Sequence, residues 1–550
     1  MIEPATKTWR PYALLVLLAL GLYLPGMASL PVTDRDEARF AQATRQMLET
    51  RDFIAIRFLD EARNKKPAGI YWLQAASVAL FSNAESTNIW PYRLPSLLGA
   101  LGAGLLSFGM GAALVGRRAA FIGAAVLTAT LGLVTEAHLA KTDAVLLAAI
   151  TAAQLALGRI YVASRDGRIA PWRDAAIFWL ALSIGILIKG PVAPLVSILS
   201  IATLALADRD ARWLKNLRPV WGLIGLIVIV APWLVAIMSA TNGAFLADSL
   251  GNDFFGKLIG AQESHGAPPL YYLALLPVTF WPGILLLGPA IASAWQRRRA
   301  PAERFLIAWA IPFWIVLELV PTKLPNYLLP VFPALALLIG GALVAASDGN
   351  LTSWRWLDRV GAVLGGAIAL GLAALFIVAP VRYGGGLSAA GVVAAIVVLY
   401  LGLRCAASAW RQTSPRLAIR VAILALLIFP LGFEFIAPNL DRLWLSRAAA
   451  ALVTRYGVPK DASVAATGYA EPSLVFLLGS KTKIGGVDRT ARNLTTARGA
   501  LALVATPDDE SFRKALAALG WEPRQIGQVA GLNYSNGREL TLTLYDAVPR

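Results

Sequence analysis

Uncharged apolar stretches close to 20 residues long recur from Pro11 to about residue 437. No other feature constrains the fold as strongly. About 20 apolar residues in helical conformation cross a ~30 Å hydrocarbon layer, where every backbone polar group must be satisfied within the segment. Composition agrees: the chain is 57% hydrophobic and 15% charged, against about 25% charged in soluble domains. Mean hydropathy is +0.61. The chain reads as a polytopic α-helical membrane protein. The first run ends on TDRDEARFA without a convincing small-residue cleavage site, so it reads as a retained span.

Thirteen spans are expected, near 12–32, 93–115, 119–135, 144–163, 175–188, 190–207, 220–240, 270–294, 305–320, 328–346, 360–379, 389–403 and 421–437. With a cytoplasmic N-terminus, the inner segments carry 21 Lys and Arg. The five shorter outer loops hold one each: Lys141, Lys189, Lys257, Lys323 and Arg382. That asymmetry follows the positive-inside rule, and it also accounts for the net charge of +17 without nucleic acid. Were residues 67–84 to cross as well, every later loop would change sides. They are therefore expected to lie along the membrane within a long outer loop, 33–92. In that loop Phe40, Ala43, Met47 and Leu48 fall at helical spacing, as in an interfacial amphipathic helix.

From residue 438 charge is spread throughout. Strand-like ASVAAT, ALALVAT and LTLTLY alternate with the helical DDESFRKALAALGW, so a small outer α/β domain is expected over 438–550, after a membrane domain over 1–437. Cys405 is the single cysteine, which leaves no intramolecular disulfide. Two histidines, His138 and His265, argue against a His-rich metal cluster and against Ser-His-Asp chemistry. His265 could hold a metal with Glu85 or Glu263, although a solvated loop histidine is the plainer reading.

Charge collects at the outer boundary in four places: TDRDEARFA at 33–41, RNKKPAG at 63–69, EAHLAKTDA at 136–144 and TKLPNY at 322–327. Each alone could be an interfacial anchor. Lysines converging from separate loops would form an anion site suited to phosphate.

The acidic cluster after the first span, the long outer loop, KPAGIYWL, HLAKTDA, TKLPNYLLP and GLNYSNGRELTLTLY at 531–545 together resemble the lipid-linked-sugar glycosyltransferases of the GT-C fold. They are most similar to the aminoarabinose–lipid A transferases, which are related to the protein O-mannosyltransferases. KPAG departs from relatives that often carry a second proline there. The resemblance implies a GT-C fold. It also implies a donor of 4-amino-4-deoxy-L-arabinose on undecaprenyl phosphate, a lipid A phosphate acceptor, action at the periplasmic face of the bacterial inner membrane, and resistance to cationic peptides such as polymyxin. No cofactor is required on this reading.

The family's carboxylate after the first span corresponds to Asp36 or Glu37. Adjacent helical residues point about 100° apart, so one of the two faces the sugar, and Asp36 is favoured. Asp143 matches the second acidic position. Sugar transfer passes through an oxocarbenium-like state that carboxylates stabilise. The departing lipid phosphate needs fixed cations, for which Arg39, Lys66 and Lys323 are candidates, with Tyr327 as hydrogen-bond donor. Transfer of another polyprenyl-linked sugar to protein or glycan is the alternative within the class, and lipid or sugar transport the alternative outside it. A transporter should place charges near span centres, whereas these gather at one membrane face.

The charge parity generates a topology test. Asn83→Cys and Ser535→Cys, each in a Cys405→Ala background, should both react with an impermeant thiol reagent applied from outside. Labelling of the Ser535→Cys protein from the cytoplasmic side alone would overturn the arrangement.

Overall fold

The computed structural model describes residues 9–33, 35–249, 251, 256, 266–352, 354–457, 462–496 and 499–549. All thirteen expected segments are helical over most of their length. Seven helices are individually long and apolar enough to cross a membrane: Trp90–Val115, Asp143–Arg165, Pro219–Ala240, Pro325–Ser347, Arg355–Tyr383, Ala389–Arg411 and Pro415–Asn439. Two more spans result if bent pairs count as one, Arg117–Thr128 with Leu131–Ala137 at 62° and Tyr271–Thr279 with Gly283–Gln296 at 100°. The remaining four fall short for physical reasons. Arg10–Tyr23 and Val192–Asp208 are too short alone, while Trp172–Lys189 and Pro301–Leu319 carry charges at their ends. The count of thirteen spans is thus a count of helical segments rather than of straight crossings.

Burial separates helices that hydropathy does not. Pro325–Ser347 and Pro219–Ala240 have mean hydropathies of 2.3 and 2.5, yet 89% of the first and 22% of the second is buried inside the protein. The first is a central helix and the second a peripheral one.

The segment 33–92 folds as helix Asp36–Thr50, a short antiparallel pair β1 (Arg57–Phe58) and β2 (Glu61–Ala62), and helix Gly69–Phe81. The last has 13 residues, about 20 Å at ~1.5 Å per residue, short of a crossing. Helix Asp36–Thr50 differs from the interfacial expectation. Phe40, Ala43 and Met47 are buried against protein in the main core, with Phe40 against the Tyr71 ring. Its other side receives the C-terminal domain: Arg45 Nη1 donates to the Phe476 carbonyl at 2.9 Å and Gln42 Nε2 to Ser480 Oγ at 2.7 Å. The helix is a bracket between two domains, which is why so little of it meets lipid.

That C-terminal domain is a five-stranded sheet in the order β4-β3-β5-β7-β6, built from β3 (Val464–Thr467), β4 (Lys483–Ile484), β5 (Leu501–Ala505), β6 (Trp521–Asn533) and β7 (Arg538–Pro549). The strands β4, β3 and β5 run parallel, joined through helices Pro472–Leu478 and Val487–Thr496, and β7 closes antiparallel onto β5. The expected strand LTLTLY lies within β7, while β6 was not expected, because Trp521–Asn533 mixes exposed and half-buried positions without a strict period of two.

Two glycines set the approach of the elements around the cavity described below. A Cβ on Gly99 would lie 2.7 Å from backbone atoms of Ala144, and one on Gly69 would lie 2.6 Å from the Leu187 carbonyl oxygen. Both gaps are closed to any side chain. Gly99→Ala and Gly69→Ala should each destabilise by about 1–3 kcal/mol, the usual cost of overpacking, read as a lower thermal midpoint in detergent. Gly225→Ala, with nothing within 4 Å, should melt no lower than the parent.

Candidate active site

Where helix Asp143–Arg165 starts, Trp172–Lys189 ends and Pro325–Ser347 begins, a cleft of about 950 Å³, partly open to solvent, is lined by Lys65, Lys66, Asp143, Lys189, Asn326 and Tyr327 above an apolar wall that includes Leu195 and Phe313. The helix ends explain the charges. A carboxylate in the first turn and an ammonium in the last both complement the helix dipole. Asp143 and Lys189 occupy those positions and meet, Lys189 Nζ to Asp143 Oδ1 at 2.6 Å. Asn326 Nδ2 donates to the same oxygen at 2.8 Å. The Lys189 ammonium also lies 5.2 Å from the centre of the Tyr327 ring, within cation–π range.

Lys65 and Lys66 arrive on the loop before helix Gly69–Phe81. Asn64 Nδ2 ties that loop to Asp248 Oδ2 at 3.1 Å. Of the sequence candidates, Asp143, Lys66 and Tyr327 therefore share one cavity.

Asp36 stands exposed at the first position of helix Asp36–Thr50. It lies outside the cavity lining, but its charge acts on the same loop as Asp143. Burial alone would depress the Lys141 ammonium, yet the carboxylates of Glu136, Asp143 and Asp36 outweigh it and hold the pKa above the ordinary value. Lys141 Nζ donates to Glu136 Oε1 at 2.9 Å. The residue before Asp36, Arg35, has φ +62°, a conformation costing a non-glycine residue about 1–3 kcal/mol. Its Nη2 donates to the Ser535 carbonyl at the β6–β7 tip, 3.0 Å away. Arg39 is half-buried one turn along the helix and does not line the cavity.

Two candidates take other roles. Lys323 is buried, and its Nζ donates to the carbonyls of Leu317 (3.2 Å), Glu318 (2.9 Å) and Val320. It caps the end of helix Pro301–Leu319, where carbonyls lack intrahelical partners. Burial lowers its pKa, against the opposing pull of Glu318. Three donors spent on carbonyls leave none for a phosphate.

Glu37 is buried in a bidentate pair with Arg93, Nε to Oε1 at 2.7 Å and Nη2 to Oε2 at 2.9 Å. It also accepts from the Thr33 backbone N–H at 2.8 Å and the Ala140 N–H at 2.9 Å. Burial would raise its pKa, but the adjacent Arg93 guanidinium and these hydrogen bonds outweigh that and hold it below the ordinary value. Glu37 is a positioning group, and Asp36 is the neighbour left facing outward.

His265 and Glu263 lie outside the described residues. Glu85 is exposed, its carbonyl accepting from Arg45 Nη2 at 3.0 Å. Among the described residues no group of three or more His, Cys, Asp or Glu could hold a metal. His138 is buried between the carbonyls of Val134 and Pro25, each 2.7 Å from a ring nitrogen.

The sequence reading gave no site role to Lys189, Asn326 or Arg93. Signals for all three were present. Lys189 is a lone charge between two apolar runs, and Asn326 lies inside the quoted TKLPNY. Arg93 sits at the edge of a span, where a charge calls for a named partner.

The Glu37–Arg93 pair generates a stability prediction. Arg93→Ala leaves a buried carboxylate uncompensated and should cost about 3–5 kcal/mol. The parent's pH dependence carries the matching sign. A depressed carboxyl contributes fully above the unfolded pKa of ~4.3 and loses that contribution as pH falls through the lower folded value. The thermal midpoint should thus hold level from about pH 8 to 5 and then fall, and the fall should be weaker in Glu37→Gln. An Arg93→Ala protein melting with the parent would remove the pair from this role.

Comparison with known proteins places the geometry. Residues 65–235, which contain Lys65, Lys66, Asp143 and Lys189, match the family described as dolichyl-phosphate-mannose-protein mannosyltransferase. An undecaprenyl phosphate-alpha-4-amino-4-deoxy-L-arabinose arabinosyl transferase of Pectobacterium carotovorum is 29% identical over 369 residues, 66% of this chain and 64% of that protein. The similarity thus spans slightly less than two thirds of the relative's length. The crystal structure of ArnT from Cupriavidus metallidurans bound to undecaprenyl phosphate superposes with a TM-score of 0.74 at 19% identity, covering 97% of both chains. An Archaeoglobus fulgidus oligosaccharyltransferase superposes with a TM-score of 0.53 at 12% identity, over 99% of this chain and 75% of its own. Superposition along nearly its whole length shows that the chain has the GT-C fold of these structures.

Proposed function

We propose that the protein is a glycosyltransferase of the bacterial inner membrane that moves 4-amino-4-deoxy-L-arabinose from undecaprenyl phosphate to phosphate groups of lipid A at the periplasmic face. The observation that carries this reading is the composition of the cleft, in which three lysines and a fixed carboxylate rim an apolar wall. A polyprenyl chain suits the wall and its phosphate suits the lysines. The curated relative and the ArnT structure, both named with undecaprenyl phosphate, support the same donor.

In the proposed reaction the bond between the anomeric carbon and the donor phosphate oxygen breaks. The electron pair leaves with undecaprenyl phosphate, and an acceptor phosphate oxygen bonds the anomeric carbon. Lys66, Lys65 and Lys189 balance the charge gathering on the leaving phosphate through charge-assisted hydrogen bonds. Asp36 and Asp143 face the cationic side of the reaction, the sugar ammonium and the oxocarbenium-like ring. Asp143 Oδ1 already accepts from Lys189 and Asn326, so it is a fixed charge rather than a proton acceptor. That favours an acceptor ionised beforehand, as a phosphate is. The family match over 65–235 favours a second reading, a hydroxyl of a protein as acceptor, which would need a general base.

The test is transfer by the purified protein in proteoliposomes supplied with the aminoarabinose donor and lipid A, read by mass spectrometry. The parent should add the amino sugar to lipid A phosphates. Asp36→Asn and Asp143→Asn should each lose about 10²–10³-fold in rate, as when one preorganised charge is removed. Lys66→Ala should lose most at limiting donor. The rate should rise with the second ionisation of the acceptor phosphate near pH ~6 and then level. Absence of transfer to lipid A with full transfer to a hydroxyl acceptor would favour the second reading. Full activity of Asp36→Asn would return the opening cluster to the role of an interfacial collar.

A further inference from the structure

At the end of the molecule away from the C-terminal domain, three spans bring six arginines to one surface. Helix Arg355–Tyr383 has 29 residues, about 43 Å at ~1.5 Å per residue, the full depth of a bilayer with its headgroups. Its last turn faces the C-terminal domain, where Arg382 Nη2 donates to Glu539 Oε1 at 3.3 Å. Its first turns, with Arg355 and Arg359, therefore stand at the opposite membrane surface. Spans Ala389–Arg411 and Pro415–Asn439 join at the same level and add Arg404, Arg411, Arg416 and Arg420. The three spans are tied together there. Arg355 Nη2 donates to the Arg411 carbonyl at 3.1 Å, and Arg420 Nη1 to Ser408 Oγ at 3.0 Å. The Arg359 guanidinium lies 5.3 Å from the centre of the Trp410 ring, and that of Arg404 lies 5.7 Å from the Tyr400 ring, both within cation–π range.

All six arginines are exposed, and none has a carboxylate within ion-pair distance among the described residues. Basic loops are common on the inner side of membrane proteins, but in the other loops of this side the chain supplies its own counter-charge. Arg118 faces Asp348, Arg165 and Arg304 face Asp208, Arg168 faces Asp166, Arg212 faces Asp210 and Arg297 faces Glu303. Asp358, next in sequence to Arg359, is buried and turned toward Gly288. A charge at the end of a span calls for a partner, and here the protein provides no acid. What lies beneath the charges is apolar. Val363, four residues deeper than Arg359, and Ile423, three residues deeper than Arg420, share their helix faces and are exposed. Trp356 and Trp410 are exposed as well, at the level of interfacial aromatics. The surface thus pairs cations above with apolar side chains below, the pattern complementary to an amphiphile with an anionic head.

We propose that this surface binds anionic phospholipid of the adjoining leaflet, with the phosphate held by the arginines and the acyl chains along the apolar positions below. Basic surfaces between spans hold such headgroups by charge, and the assignment does not rest on the transferase reading. Full-length protein in uncharged detergent would be titrated with diphosphatidylglycerol, phosphatidylglycerol and phosphatidylcholine and read by native mass spectrometry. Retention of either anionic lipid about tenfold or more above phosphatidylcholine supports the site, since several arginines act together. Arg359→Gln and Arg420→Gln should each weaken retention about fivefold, the usual share of one arginine at an anionic surface. Gln412→Glu removes no arginine and adds a repelling charge at the exposed position after Arg411, and it should weaken retention similarly. Arg168→Gln, from the set that faces carboxylates, should retain lipid as the parent does. Equal retention of phosphatidylcholine, unchanged retention in Gln412→Glu, or an equal loss in Arg168→Gln would overturn the proposal. So would displacement of the lipid by equimolar inorganic pyrophosphate, which marks a free-phosphate site, or a lipid-free dimer lost in Gln412→Glu, which gives the face to a second copy.

Discussion

The face of the protein that carries the cleft depends on one buried ion pair. Arg93 and Glu37 meet with no exposed surface on either side chain, and what surrounds them explains why this is tolerated. The carboxylate takes two backbone N–H donors besides the guanidinium, one from the irregular segment entering its own helix and one from the Ala140 loop. The guanidinium spends its remaining donors on carbonyls of 27–31. A buried pair recovers its desolvation cost only when the leftover lone pairs and protons are satisfied in this way. Three chain segments distant in sequence, 27–37, Arg93 and Ala140, thereby share one registration point. It fixes the start of helix Asp36–Thr50 and the loop leading to Asp143.

The cleft uses the opposite strategy. Lys65 is exposed and Lys66 half-buried, so these lysines keep attraction for an arriving anion without the penalty of full burial, whereas Asp143 is buried. Asp143 is held from two directions, by Lys189 and Asn326, and Lys141 is surrounded by carboxylates. The alternation of sign around this rim suits a reaction in which positive charge grows on a sugar while negative charge grows on the phosphate beside it.

Lys66, Lys189 and Lys323 show how far the sequence reaches. All three sit beside apolar runs, and in the linear chain they look alike. Two line the cleft, and the third folds back onto the carbonyls that end its own preceding helix. The distinction rests on whether three uncapped carbonyls lie within reach of the ammonium, which the direction of the backbone after residue 319 decides. Asp36 and Glu37 behave alike in sequence and oppositely in structure for a related reason. They point about 100° apart, and only the face that packs against Arg93 is buried. Which face that would be was not legible without the partner helix.

Hydropathy, charge placement and capping tendency are local sums over neighbouring residues. By itself the sequence therefore determined the membrane class, the thirteen helical segments, the terminal α/β domain, and the gathering of carboxylates and lysines at one boundary. It also placed Asp143 just before one expected span and Lys189 just after another. What needed the tertiary structure were the relations between distant segments. These include the bends of 62° and 100° that break two expected spans, the central or peripheral place of helices with nearly equal hydropathy, the docking of the last domain onto helix Asp36–Thr50, and the contact of Asn326 with Asp143 across 183 residues. Such contacts depend on which surfaces close to within an ångström, as at Gly69 and Gly99, and no local property of the chain records that distance.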